Sequence, residues 1–148
     1  MARMTGKVRR EFDAAAAATL RDADDGAETA DASEAGVTLN LLTNAYWDND
    51  EQPNGIILIP ITVLSIDRTT GDETYDIYFE VDTSSAFSSA VEVARVKGIT
   101  AVGYYEVLVS SQLIEALEPG ATHIRAKVDV GGTTPSINYG AWMTFHGI

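Results

Sequence analysis

Apolar and polar residues alternate along much of the chain after residue 36, in short runs separated by Gly, Pro, Asn and Asp. The clearest run covers residues 74–82. One set of alternate positions is apolar or aromatic: Tyr75, Ile77, Phe79 and Val81. The other set is mostly acidic: Asp76, Tyr78, Glu80 and Asp82. Because successive side chains of a strand point to opposite faces, the run predicts a strand with one face in the core and one in solvent.

The same alternation returns at residues 122–130, where the outward set is largely basic. Its apolar positions are Ile124, Ala126, Val128 and Val130, and its polar positions are His123, Arg125, Lys127 and Asp129. If this strand and the strand at 74–82 are neighbours in an antiparallel sheet, the basic and acidic outer faces can pair.

Five further runs complete a set of about seven strands, at residues 37–42, 56–66, 91–97, 104–109 and 137–145. Their number and spacing predict an all-β fold, an antiparallel β-sandwich of the Ig-like or jelly-roll-like kind. Pro60 lacks a backbone N–H, which predicts a sheet edge, a bulge or a switch between sheets at that point. Residues 110–117 break the pattern and predict a short helical turn, because their apolar residues have helical spacing.

Charge separates the first 36 residues from the rest. Residues 1–12 are basic, whereas residues 13–36 carry seven acidic side chains against Arg21 alone. The zone has no tryptophan, tyrosine or β-branched run, so it has little to bury. We therefore expect an N-terminal arm over residues 1–36, extended or partly helical and ordered by a partner, and a β-sandwich body over residues 37–148.

Composition excludes several functional classes. Of the 148 residues, 22 are acidic and 10 basic, and the net charge of −12 disfavours nucleic-acid binding, which needs Lys and Arg at phosphates. No apolar stretch approaches the length of a membrane-spanning helix. The absence of cysteine removes thiol chemistry and thiolate metal sites.

Candidate metal and catalytic motifs fail when their spacing is tested. Counted from Asp22, the EF-hand positions for the third oxygen ligand, the glycine and the glutamate hold Gly26, Ala27 and Ser33. The acidic loop that begins at Asp48 fails in the same way. Only His123 and His146 could serve as a histidine base, and both are predicted to be surface residues. We expect no catalytic, cofactor-binding or metal-binding residues, and no enzyme activity.

Pairs of aromatic residues are the remaining candidates for binding. Tyr46 and Trp47 precede the acidic loop, and neighbouring side chains of a strand point to opposite faces. One of the two can therefore be exposed, to stack on a sugar or anchor a protein interface, or both can belong to the core or its rim.

The order of elements resembles the small β-rich capsid cement, or decoration, proteins of tailed bacteriophages. The similarity rests on three segments: the Ala- and Asp-rich lead at 12–23 that runs into the strand from Val37, the strand at 75–81 with the segment 82–87 after it, and the ending. That ending consists of residues 124–128, the turn 131–136 and a closing strand with Ala141 and Trp142.

This resemblance implies a noncatalytic structural protein on the outer surface of the virion, made in the host cytoplasm. Its implied partners are the major capsid protein, whose neighbouring subunits it would clamp, and further copies of itself in a trimer or other homo-oligomer. No nucleic acid, membrane or cofactor is implied. We expect partner contacts from the basic arm and the exposed aromatics, namely Arg3, Lys7, Arg9, Arg10, Phe12, Tyr46 and Trp47.

Two alternatives stay open. The same kind of sandwich serves in carbohydrate-binding adhesion modules, where Tyr46 and Trp47 would be stacking platforms, and in tail or baseplate proteins.

Overall fold

The computed structural model describes residues 19–39 and 56–146, and within them the chain is mostly β-strand. The strands are β1 (Thr19–Arg21), β2 (Ala32–Ser33), β3 (Val37–Thr38), β4 (Ile56–Ile66), β5 (Thr74–Asp82), β6 (Val91–Val96), β7 (Gly103–Ser110), β8 (His123–Gly131), β9 (Ile137–Trp142) and β10 (Thr144–His146). A 3-10 helix covers Ala23–Asp25, and helix α1 covers Ser111–Leu117. No helix in these two ranges combines the length and apolar character that crossing a membrane requires.

The strands form two antiparallel sheets. In sheet 1, β4 pairs with β7 on one side and with β9 and then β10 on the other, and β1 pairs with the far side of β9. In sheet 2, β5 lies between β6 and β8, and the short strands β2 and β3 follow one another along the far side of β8. Each sheet is thus four strands wide, and the predicted all-β sandwich is confirmed.

The core lies between the sheets and is built from alternate residues of the central strands. On β5 these are the predicted inward residues Tyr75, Ile77, Phe79 and Val81, each fully buried. On β4 they are Ile57, Ile59, Ile61 and Val63. Removing such branched and aromatic side chains from water supplies the main stabilisation of a sandwich. The buried Tyr75 hydroxyl is also satisfied, because it donates to the Asp67 carbonyl at 2.5 Å and accepts from the Ser136 amide at 2.8 Å.

The predicted pairing between the acidic and basic outer faces is confirmed. Strands β5 and β8 are neighbours over nine residue pairs, and Glu80 lies directly opposite Arg125. The Arg125 guanidinium is 2.9 Å from the Glu80 carboxylate, and the Lys127 ammonium is 3.8 Å from it.

Pro60 does not mark a sheet edge, because β4 has partners on both sides. On the side of β9 and β10, the pairing runs from Ile56 to Leu58 and resumes at Ile61. Pro60 lies within this interruption, where the strand partner changes, so the edge alternative was wrong.

Helix α1 confirms the predicted helical turn after β7. The Ser110 hydroxyl accepts a hydrogen bond from the Leu113 amide at 3.0 Å, which caps the first turn. Ile114 is fully buried, so one side of the helix is anchored to the core.

The N-terminal part of the fold begins earlier than the predicted division at residue 36. The first strand starts at Thr19, and Leu20 is buried in the main core cluster. The described residues before Val37 contribute β1 to the edge of sheet 1 and β2 to the edge of sheet 2. They pack as part of the sandwich because Leu20 and Arg21 are buried against it. Residues 1–18 of the predicted arm lie outside the described ranges.

Candidate functional site

The outer face of sheet 2 is a layer of paired charges. Asp76 and Asp129 face each other across β5 and β8, and Arg95 of β6 lies 2.8 Å from the first carboxylate and 3.3 Å from the second. The same guanidinium is 2.7 Å from Glu92. These hydrogen bonds, the one to Glu92 foremost, raise the pKa of Arg95. Arg95 thus removes the repulsion that two opposed carboxylates would otherwise cause.

Aromatic rings on this side of the molecule are covered by cations. The guanidinium of Arg95 lies 4.1 Å from the centroid of the Tyr78 ring, and the Lys127 ammonium lies 5.3 Å from it. Arg125 lies 4.5 Å from the Phe87 ring. The charged groups of this face therefore find their partners, both rings and opposite charges, within the face itself. Such an arrangement suits a surface that remains in water.

The outer face of sheet 1 is different, because it exposes apolar side chains along β4 and β7. We call this surface the apolar face, and it consists of Ile56, Leu58, Leu64, Val102, Tyr104 and Leu108. Leu58 lies directly opposite Leu108, and Thr62 lies opposite Tyr104. Tyr104 and Leu108 are 58% and 62% exposed, and Leu64 is 54% exposed.

One ionisable pair lies within this surface. The Tyr104 hydroxyl donates to the Glu106 carboxylate at 2.7 Å, and this contact raises the pKa of Tyr104. Glu106 lies opposite Pro60, midway along the paired part of β7. The carboxylate is therefore already partnered.

The distribution of exposed apolar side chains is one-sided. Within the described ranges, the large apolar residues that are exposed are Ile56, Leu64, Val102, Tyr104, Leu108, Leu113 and Leu117. All lie on β4, on β7, immediately before β7 or on α1. The outer face of sheet 2 contributes none of them. The sandwich thus has one charge-paired side and one apolar side.

A second cluster surrounds Arg21, whose side chain is completely buried at the edge where β1 meets β9. Its guanidinium donates to the Tyr139 carbonyl, to Asn138 at 3.1 Å, to the Gly26 carbonyl at 2.6 Å and to Glu28 at 3.0 Å. The guanidinium carbon lies 4.5 Å from the centroid of the Tyr139 ring. Arg21 therefore joins the N-terminal residues to β9.

Glu34 completes this cluster from the side of sheet 2, with its carboxylate 3.5 Å from Nε of Arg21. Burial raises the pKa of Glu34, and the charge of Arg21 opposes that shift. Burial also raises the pKa of Tyr139, whose hydroxyl has no hydrogen-bond partner in the part of the chain that the structure describes. The cluster links the two sheets by buried charge.

A surface cavity of about 390 Å³ opens beside the cluster. Arg21, Asp22, Asp25 and Glu34 contribute to its lining. Four acceptors already satisfy the Nη atoms of Arg21, and Asp22, Asp25 and Glu34 add three carboxylates to a lining that also contains Leu20 and Ala35.

Acidic residues in the loops of the body act as acceptors for turns. Asp82 accepts from the Ser89 amide at 2.9 Å and from the Thr83 amide at 2.6 Å, and these contacts lower its pKa. Asp72 accepts from the Thr133 amide at 3.0 Å, which lowers its pKa as well. In residues 19–39 and 56–146, no three His, Asp or Glu side chains are grouped so that they could hold a metal ion.

The seven residues predicted to bind partners all lie outside the described ranges: Arg3, Lys7, Arg9, Arg10, Phe12, Tyr46 and Trp47. Those assignments stay predictions. His123 is partly buried, with Nδ1 2.8 Å from the Thr122 hydroxyl and its ring edge-on to Phe87. The Ser84 hydroxyl accepts a hydrogen bond from the Ala86 amide in a turn, and the Ser110 hydroxyl caps α1.

The apolar face and the Arg21 cluster were not predicted from the sequence. The sequence did contain a signal for the apolar face, because residues 56–66 are apolar at both odd and even positions. A core on one side of the strand can bury only one of these two sets. For the Arg21 cluster, the one signal in the sequence was that Arg21 is the single basic residue among many acidic ones.

Comparison of the chain with protein-family models, with curated proteins and with solved structures finds no match.

Proposed function

We propose that the protein is a noncatalytic structural component of a phage virion, which binds the outside of the head and stabilises contacts between major capsid subunits. The observation that carries the proposal is the apolar face on sheet 1, opposite a charge-paired face on sheet 2. The order of sequence elements, which resembles that of capsid cement proteins, supplies the class of partner.

A contiguous apolar surface on a soluble protein usually marks a place where another macromolecule binds. Docking through sheet 1 would remove Leu64, Tyr104 and Leu108 from water, which is favourable by about 25 cal/mol for each Å² of apolar surface. A cement protein works in the same way, since it adds stability to an assembly by burial and without chemistry.

The other face fits the same arrangement. With sheet 1 docked, the paired charges of sheet 2 would face the solvent, and the net charge of −12 would keep decorated particles apart. In this proposal the basic residues at the start of the chain, Arg3 to Arg10, contact acidic capsid surface, and Tyr46 and Trp47 add aromatic contacts.

Quantitative mass spectrometry of purified virions tests the proposal. In virions of the phage that carries the gene, we expect the chain at a copy number comparable with that of the major capsid protein. When heads and tails are separated, it should follow the heads. Its presence in the infected cell but not in virions, or its recovery with the tails, would contradict the proposal.

A further inference from the structure

The part of the chain that carries most of the apolar face has acidic residues without cations beside them. Residues 98–121 supply β7 and α1, and their charged residues are Glu106, Glu115 and Glu118. In residues 19–39 and 56–146, no basic side chain forms an ion pair with any of the three. On sheet 2, by contrast, the outer carboxylates are paired with arginine and lysine. The apolar face therefore lies in a part of the surface whose negative charge is not neutralised.

This charge limits what can cover the apolar face. A second copy of the chain brings a net charge of −12, and nucleic acids and anionic lipid surfaces are negative as well. All of these occupants meet electrostatic repulsion. An occupant that fits must instead combine apolar side chains with basic ones.

Residues 1–12 of the chain have this combination. They contain four basic residues and one acidic residue, so their side chains carry a net charge of +3. Their apolar residues Met4, Val8 and Phe12 recur every four positions, a spacing that gives a helix one apolar side. The basic residues are Arg3, Lys7, Arg9 and Arg10.

The position of β1 brings residues 1–12 within reach of the apolar face. Thr19, the first residue of β1, pairs with Trp142 at the end of β9. It thus lies toward the end of sheet 1 where β10 pairs with Ile56 to Leu58. Strand β7 is three strand spacings from β1, about 14 Å, and the six residues 13–18 span up to about 20 Å when extended.

We infer that residues 1–12 dock on the apolar face of their own chain in the free protein. Their apolar side chains would contact Tyr104 and Leu108, which are exposed, and their basic side chains would lie near Glu106. The short linker favours the contact, because it gives the two parts of one chain a high effective concentration.

Such a contact would keep the apolar face covered until a partner binds. On a phage head, the capsid surface would replace residues 1–12 on the apolar face. The basic side chains would then become free to contact acidic capsid surface. The inference concerns the free protein and does not depend on binding to a head.

Paramagnetic relaxation in NMR spectra of the full chain tests the contact. The chain has no cysteine, so a single introduced cysteine takes the only nitroxide label. With the label on Thr5→Cys, the methyl signals of Leu108 and Leu113 should lose intensity. A segment that did not dock would act only on residues near its attachment, such as Leu20.

A mixed sample distinguishes contact within one chain from contact between two copies. Isotope-labelled chain without nitroxide is mixed with spin-labelled chain of natural isotope content. Because the contact is intramolecular, the Leu108 signals should lose no intensity in this mixture.

Charge variants test why the segment docks. Glu106→Gln removes the carboxylate midway along β7 and should reduce the signal loss at Leu108, as should about 0.5 M salt, which screens charges. Glu92→Gln is the matched control on sheet 2 and should leave the loss unchanged.

Three results would overturn the inference. The first is that the Leu108 and Leu113 signals keep their intensity when Thr5→Cys carries the label. The second is a loss in the mixed sample, which would make a second copy the occupant. The third is a loss that neither salt nor Glu106→Gln reduces.

Discussion

Arg21 holds the N-terminal residues of the fold to both sheets. Its guanidinium bonds to β9 through Asn138 and the Tyr139 carbonyl, and it pairs with Glu28 and Glu34. A buried arginine is costly to desolvate, and here each Nη atom has two acceptors. Removing the guanidinium would leave two carboxylates without a counter-charge.

We expect Arg21→Met to lower the free energy of unfolding by about 3 kcal/mol. This lies at the low end of the range for a broken buried ion pair, because Glu28 and Glu34 are partly exposed. Chemical denaturation in urea, followed by circular dichroism, measures the change.

The control for this variant is Arg95→Met, which removes a partly exposed guanidinium from the face of sheet 2. Surface ion pairs contribute little, so we expect a loss of about 1 kcal/mol or less. If Arg21→Met were no less stable than Arg95→Met, Arg21 would not hold the N-terminal residues as described.

The sequence predicted the location of some residues but not the contacts of others. The inward residues of β5 and β8 were predicted correctly, because alternation within one strand determines its faces, but Tyr78 and Asp82 of the predicted solvent face are buried. The role of Arg21 could not be predicted, since its partners Asn138 and Tyr139 are more than 100 residues away in sequence. Local pattern contains no information on such contacts.

At the scale of elements, the short strands β1, β2 and β3 form because they pair with longer strands, although their own sequences give only a weak signal for a strand. Each has two or three residues and pairs at the edge of a longer strand. The sequence suggested an arm because this zone is rich in Ala and Asp and poor in large apolar residues. Long strands with clear alternation, such as β5, were predicted at their observed bounds.

Gly36, in the segment between β2 and β3, lies close against Phe87 and β8. Its φ of +86° favours glycine, and a Cβ there would lie 2.7 Å from Cε2 of Phe87 and 2.9 Å from the Ile124 carbonyl oxygen. A side chain at this position would therefore have to push the segment away from sheet 2.

We expect Gly36→Ala to destabilise the protein more than Gly71→Ala. Gly71 has a similar φ of +88° but open space around the Cβ position, so its substitution costs only the backbone strain of about 1 to 2 kcal/mol. Gly36→Ala adds overpacking, which costs about 1 to 3 kcal/mol more. Thermal unfolding of both variants tests this, and equal losses would contradict the close packing of the segment.

At the scale of the whole molecule, the two outer faces of the sandwich differ in kind. Sheet 2 neutralises its own charges by ion pairs, and sheet 1 leaves apolar side chains in water. The sequence predicted a two-sheet sandwich of about seven strands, whereas the described residues form ten, and it did not predict which outer face would remain uncovered. That property depends on which strands become neighbours, and the pairing of β4 with β7 joins residues about 45 positions apart.

Several of the carboxylates that contribute to the net charge of −12 have a structural role in the fold. On the face of sheet 2, Asp76, Glu80 and Asp129 are paired with cations. Other carboxylates, such as Asp72 and Asp82, order turns. In the proposed function these charges keep the exterior soluble, while the apolar face makes the contact.

Binding of purified chain to phage heads that lack it tests the central claim most directly. We expect wild type and Ser88→Glu, an exposed position in the loop between β5 and β6, to co-sediment with heads equally well. Leu64→Glu puts the same charge on the apolar face and should weaken binding about tenfold or more. Equal binding by Leu64→Glu and Ser88→Glu would contradict the claim that the apolar face of sheet 1 is the surface that binds.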